Sequence, residues 1–142
     1  MSLKGKCLCG AVRYEVAKDG VEVGVCHCGM CRAWSGGVYI GFEAKPGEIA
    51  FTGEEHVGTY RSSDWAERGF CKTCGASLFY RVTEAGPMQG VMHVAAGGLE
   101  TWDGARLTSE IFVDQKPAAY DFAGDHPRMT EAEFLASIGM AP

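Results

Sequence analysis

The sequence predicts a small, mainly β single domain over residues 1–142, sandwich-like in build and closed by one short C-terminal helix. Three observations lead there. Glycine is abundant, at 20 of 142 residues, and runs of good helix formers are few. Short alternating or apolar segments recur between turn signals, a pattern with the period of strands rather than helices. Seven cysteines fall in three tight clusters, which can staple a chain whose core alone is thin.

Each element follows from its residues. Met1-Ser2-Leu3 is assigned no structural role. Ala11-Val12-Arg13-Tyr14-Glu15-Val16 alternates as a half-buried strand, and Val21-Glu22-Val23-Gly24-Val25 repeats the pattern after a turn at Asp19-Gly20, so the two are expected to form a hairpin. Cys28 to Trp34 reads as a short helical turn ended by Gly36-Gly37. Strands are expected at Val38–Phe42, Ile49–Thr52 and Val57–Tyr60, with turns at Lys45-Pro46-Gly47 and Gly53, and their spacing is that of a meander. Arg68–Cys71 and Ser77–Arg81 flank the last cysteine pair as strands, Val91–Ala95 follows the Gly86-Pro87 turn, and Ile111-Phe112-Val113 is a strand before Pro117. Thr130 followed by Glu133 is a capping box, and Phe134, Leu135 and Ile138 give the closing helix its apolar face.

The cysteines carry the chemistry. They stand as Cys7-x-Cys9, Cys26-x-Cys28-x-x-Cys31 and Cys71-x-x-Cys74. An odd count, pairs too close to bridge comfortably and no apolar signal segment at the N-terminus argue against disulfides and for a reducing compartment, the cytoplasm. Buried structural thiols would not all fall at C-x-C or C-x-x-C spacing beside glycines. A redox pair would need an alternating strand and helix pattern that is missing here. Metal remains, and zinc is the ion that such thiol sets hold.

Seven ligands divide naturally into four and three. Cys7, Cys9, Cys71 and Cys74 would close a structural zinc site, while Cys26, Cys28 and Cys31 would leave one coordination position of a second zinc open to a substrate. Spacing alone leaves a rival partition standing, with Cys28-x-x-Cys31 and Cys71-x-x-Cys74 together as a zinc ribbon, although with a long spacer. His27 lies between two ligands and so points away from them, which gives it a supporting rather than a ligating position. Arg32 follows the last sulfur directly and is the candidate anchor for a substrate carboxylate, with Arg61 and Arg68 as further candidates.

Composition excludes other classes. A formal net charge of -5 argues against nucleic acid as a partner. No apolar stretch approaches the roughly 20 residues that cross a bilayer, so no membrane role is expected.

The runs Gly5-Lys6-Cys7-Leu8-Cys9-Gly10-Ala11-Val12-Arg13-Tyr14-Glu15, Cys26-His27-Cys28-Gly29-Met30-Cys31-Arg32 and Arg68-Gly69-Phe70-Cys71-Lys72-Thr73-Cys74-Gly75 resemble the glutathione-dependent formaldehyde-activating family, which includes the centromere protein V relatives. Glu110 to Tyr120 resembles the stretch that follows the second zinc pair, so the likeness runs from Gly5 to about Arg128, with Ala119 where the family often has tryptophan. The resemblance implies a mostly β fold holding two zinc ions. It assigns Cys7, Cys9, Cys71 and Cys74 to the structural zinc and Cys26, Cys28 and Cys31 to the second, catalytic one. It implies a carbon-sulfur lyase that joins glutathione to formaldehyde, giving S-(hydroxymethyl)glutathione. The alternative function is a non-catalytic, zinc-stapled binding or scaffold module.

Overall fold

Strand follows strand through most of the computed structural model, which describes residues 2–140. In chain order the elements are β1 (Leu3–Lys6), β2 (Arg13–Val16), β3 (Glu22–Cys26), α1 (Gly29–Ser35), β4 (Tyr39–Ala44), β5 (Ile49–Thr52), β6 (Val57–Arg61), β7 (Ala66–Cys71), β8 (Ser77–Val82), β9 (Met92–Ala95), β10 (Arg106–Ile111), β11 (Arg128–Met129) and α2 (Glu131–Ser137). The mainly β class with a short C-terminal helix is therefore as the sequence predicts. The chain divides into two units, Met1–Val21 with Gly41–Ala105, and Glu22–Ile40 with Arg106–Pro142.

The first unit is a sandwich of two antiparallel sheets. One has the order β1-β2-β5, and the other runs β4-β9-β8-β7-β6. Alternation drives the apolar residues of β2 inward, where Tyr14 and Val16 are buried, while the consecutive Leu78 and Phe79 of β8 are both buried. Tyr14, Phe51 and Phe79 form a chain of tilted rings, with centroids 5.8 and 5.7 Å apart. Cys7, Val12, Cys71, Leu78 and Phe79 make one buried cluster in this unit, with Cys74 packed against it. The four-cysteine set thus sits at the edge of a hydrophobic core.

The second unit is organised by parallel pairing. β10 lies between β3 and β11, parallel to both, with Ile111 opposite Cys26 and Glu110 opposite Arg128. Helix α1 leaves directly from the cysteine turn; Cys28 is its N-cap, and Gly36 in the left-handed region ends it. The α2 capping box forms as expected, Thr130 accepting from the Glu133 N–H while the Glu133 side chain accepts from the Thr130 N–H.

Several expectations are corrected. Leu3 is buried in β1, so the opening residues do have a structural role; Met1 lies outside the described residues. β2 and β3 do not form a hairpin, because β1 and β5 occupy both edges of β2 while β3 pairs with β10. The meander runs β6-β7-β8-β9 rather than β4-β5-β6: β5 pairs with β2 in the other sheet, and β4 joins the far side of β9. The strand placed at Ile111–Val113 ends at Ile111, since Phe112 turns left-handed at φ 58° and a 3-10 turn follows at Val113–Gln115. That turn sets the Phe112 ring 5.8 Å from Phe134 of α2. Ile138 is the α2 C-cap and 51% exposed, so it is not part of the helix's packed face.

Candidate metal centres

Two knuckle turns build the first cluster. Cys7 closes its turn by donating its N–H to Val12 O at 3.0 Å, and Gly10 donates back to Cys7 O at 3.2 Å. The other turn repeats the scheme, with Cys71 donating to Ala76 O at 3.0 Å and Gly75 donating to Cys71 O at 2.8 Å. Gly10 and Gly75 have φ of 81° and 79°, a conformation cheap only for glycine, which turns the following amides toward the sulfurs. The Val12 N–H accordingly donates to Cys7 Sγ at 3.3 Å.

The resulting geometry suits a metal. The ligand atoms of Cys7, Cys9, Cys71 and Cys74 all lie within 4.8 Å of one another. Sulfurs about 2.3 Å from a tetrahedral zinc stand about 3.8 Å apart; Cys7 to Cys9 is 3.6 Å and Cys9 to Cys71 is 3.8 Å. These are free thiols, well beyond the roughly 2.05 Å of a disulfide. Cys26, Cys28 and Cys31 form a second set within the same 4.8 Å limit, and among the described residues no His, Asp or Glu joins it. The ribbon partition is thereby overturned: Cys28 and Cys31 group with Cys26, not with Cys71 and Cys74.

Proton affinities within the sets diverge for physical reasons. Backbone N–H groups of Ala76 and Cys9 hold the Cys74 thiol down to about 6. Cys9 gains from the Ala11 N–H but loses more to burial and to the sulfurs of Cys7, Cys74 and Cys71, which push it up to about 11. Burial raises Cys7, yet the Val12 N–H and neighbouring sulfurs outweigh it and leave the thiol below its ordinary value. Hydrogen bonds to Cys28 and Cys31, together with burial, push Cys26 far above the ordinary thiol range. Thiols crowded this way share protons until a cation displaces them.

An order of reactivity follows for metal-free protein kept below its melting temperature, where the first unit still holds its turns. At about pH 7.5, Cys74 is a thiolate and Cys9 a thiol, so iodoacetamide should modify Cys74 first even though Cys9 is the more exposed of the two. Below about pH 6 the Cys74 rate should fall about tenfold per unit, as the thiolate fraction does. Mass mapping of timed alkylation checks both; Cys9 reacting first would contradict the assignment.

Around the second set the chain places a hollow and a buried polar cluster. The hollow, about 400 Å³, is lined by Gly29, Arg32, Ala33, Gly36, Gly37, Pro117 and Tyr120. Arg32 uses its Nε–H on His27 O at 3.2 Å, and its Nη groups form no ion pair among the described residues. The Gly29 N–H donates to Gln115 Oε1 at 3.1 Å. His27 is fully buried, and its Nε2 is 2.8 Å from Glu110 Oε1. Burial raises the Glu110 carboxyl, but hydrogen bonds from His126 and His27 and the Arg128 charge win and hold it below its ordinary value. The other arginine candidates lie in the first unit: Arg68 is 3% exposed with its guanidinium 5.2 Å from the Tyr80 ring centre, and Arg61 donates to Asp64 O. Arg68 is consequently a core residue rather than a surface anchor.

Sequence reasoning missed Glu110, Tyr120, His126 and Arg128 as neighbours of the cysteine turn. The resemblance singled out the stretch Glu110 to Tyr120 without placing it, and within Arg106–Glu110, polar but for Leu107, nothing in the spacing marks the glutamate as internal.

Comparison with known proteins follows the geometry. Residues 2–115 match the family model described as glutathione-dependent formaldehyde-activating enzyme. An uncharacterized lyase of Schizosaccharomyces pombe is 32% identical over 137 residues, spanning 95% of this chain and 96% of that protein. A putative glutathione-dependent formaldehyde-activating enzyme of Halomonas elongata is 32% identical over 87 residues, 56% of this chain and 55% of that one. A crystal structure of a Rhodobacter sphaeroides protein shares the fold, with a TM-score of 0.57 at 21% identity over 88% of this chain and 98% of that one. Among the described residues no helix is long and apolar enough to cross a membrane. With the match extending over most of its length, the chain belongs to the glutathione-dependent formaldehyde-activating enzyme family and is an enzyme of the carbon-sulfur lyase kind.

Proposed function

We propose that the protein holds two zinc ions, one structural at Cys7, Cys9, Cys71 and Cys74 and one catalytic at Cys26, Cys28 and Cys31, and that it adds a thiol such as glutathione to a small aldehyde such as formaldehyde. The observation that carries this reading is the three-sulfur set with no fourth His, Asp or Glu among the described residues, on the turn that opens α1 beside the hollow. When bound, zinc with three thiolates has a tempered Lewis acidity that favours ordering a thiol as its thiolate.

The chain's residues do the rest. Arg32 offers its Nη hydrogens to a carboxylate of the thiol substrate, a pairing suited to the guanidinium fork. Gly29, Gly36 and Gly37 leave bare backbone where a peptide can lie close, and Tyr120 and Pro117 form the facing lining. Held there, the thiol releases its proton to water, the sulfur lone pair attacks the carbonyl carbon and a C–S bond forms. The C=O π pair moves to oxygen, which takes a proton from water in the open hollow. The product is S-(hydroxymethyl)glutathione when the reactants are glutathione and formaldehyde.

Clustered free thiols support a reducing compartment, and we place the protein in the cytoplasm. The chain passes between its two units three times, and we read both as one functional domain.

Zinc content per chain, measured together with a glutathione titration followed by tryptophan emission, tests the proposal. Trp34 sits on α1, 5.2 Å from Tyr39 between ring centres, next to the hollow-lining Ala33, and reports there. The expected result is two zinc ions and saturable quenching. One zinc ion and no response to glutathione would favour the alternative, a zinc-stapled binding module.

A further inference from the structure

Cys26, His27 and Cys28 are consecutive, and in an extended run alternate side chains face opposite ways. The two sulfurs therefore converge on one side while the imidazole is driven into the second unit's interior, where it is 0% exposed. β10 grips this residue twice. Its Ile111 O accepts the His27 N–H at 3.0 Å, and its Glu110 Oε1 accepts from His27 Nε2 at 2.8 Å.

Glu110 is itself fastened. It is 1% exposed, its Oε2 accepts from His126 Nε2 at 2.6 Å, and the same oxygen forms an ion pair with the Arg128 guanidinium, 2.9 Å from Nε. A carboxylate only accepts, so both imidazoles present an Nε2–H to it. With that hydrogen fixed on Nε2, His27 Nδ1 faces the Tyr120 hydroxyl at 3.4 Å. The Tyr120 and Phe122 rings close around the imidazole at 5.9 and 6.0 Å.

An arrangement of buried charge like this is not a source of stability, because desolvating the ions costs about what their pairing returns. What it supplies is direction. We infer that Glu110 is a positioning residue for the three-cysteine centre: through His27 it fixes the turn that carries Cys26 and Cys28, and so sets how tightly the centre holds its metal. His126 and Arg128 brace it, and Tyr120 joins the same brace to the hollow. Tyr120, Phe122, His126 and Arg128 all lie beyond the residues that match the family model, which end at 115, so the segment that follows the matched residues completes the support.

This inference rests on reading Cys26, Cys28 and Cys31 as a metal centre, but its test needs neither thiol nor aldehyde. Zinc-loaded wild type and Glu110→Gln are titrated with a chromophoric chelator, and alkylation with mass mapping assigns each released ion to Cys26, Cys28 and Cys31 or to the four-cysteine set. Removing a group that orients a ligand from outside costs about 10–100-fold in metal affinity. A selective loss of that size at the three-cysteine set, with the other set unchanged, is expected. Equal weakening of both sets, or an unchanged three-cysteine set, overturns the positioning role. Wild type that binds a single ion overturns the metal-centre reading as well, and that outcome is seen before any variant is compared. If Glu110→Gln fails to fold, His126→Gln decides the matter: it keeps the carboxylate and Arg128 while loosening the brace. Selective weakening upholds the role, and unselective weakening or none overturns it.

Discussion

Cys74→Ser should break up the first unit's four-cysteine cluster and take most of the protein's stability with it. Cys74 is the informative position because it is only partly buried, whereas Cys71 is 0% exposed within the Val12, Leu78 and Phe79 cluster. Replacing Cys71 would mix metal loss with core damage; serine at 74 nearly keeps the side-chain volume and removes one thiolate. Closed four-ligand zinc sites bind with apparent free energies of about 10–16 kcal/mol, as large as the whole stability of a typical domain at about 5–15 kcal/mol. Losing one of four ligands should cost more than about 3 kcal/mol, a fall in Tm of more than about 10 °C. Thermal melts of the variant, and of wild type stripped with a chelator, should agree. A Tm within about 3 °C of wild type would mean the cluster is not a folding staple.

The opposite outcome is expected for Cys28→Ser: a well-folded protein without turnover. Cys28 caps α1, its sulfur accepting the Cys31 N–H at 3.3 Å, and serine is among the best residues at that position. The helix keeps its cap while the centre loses a thiolate. Since disturbing a residue that merely supports a ligand costs about 10–100-fold, removing the ligand itself should lower kcat/KM by more than about 100-fold with glutathione and formaldehyde. Steady-state rates beside a melt check this. If Cys28→Ser and Cys74→Ser were equally unfolded, the division into structural and catalytic centres would be wrong.

The candidate ligands were legible because metal chemistry imposes short spacing. Cys-x-Cys and Cys-x-x-Cys with a following glycine announce their turns locally, and Gly10 and Gly75 adopt the left-handed conformation such knuckles require. Strand identities were legible for the same local reason, through alternation at Arg13–Val16 and a short apolar run after the cysteine turn at Ser77–Val82. Pairing was not, because a strand's pattern says which face is buried and nothing about which edge is taken. β2 and β3 look alike as neighbours in sequence, yet Leu3–Lys6, a four-residue strand with a glycine in it, takes the edge of β2. The polar cluster around His27 was invisible for a different reason. Glu110, His126 and Arg128 read as surface residues, and only the parallel alignment of β10 with β3 and β11 buries Glu110 and brings the other two onto it.

The uneven reach of the two cysteine sets orders events during synthesis. Cys26, Cys28 and Cys31 leave the ribosome within six residues of one another, so the nascent chain can capture an ion there after closing a loop that costs little entropy. Cys9 must wait for Cys71, 62 residues later, and the first unit's knuckles cannot meet until β7 has emerged. For the interval between, a growing chain carries Cys7 and Cys9 as open thiols after Cys26, Cys28 and Cys31 are complete, so metal supplied in the cell meets the three-cysteine set before the four-cysteine set.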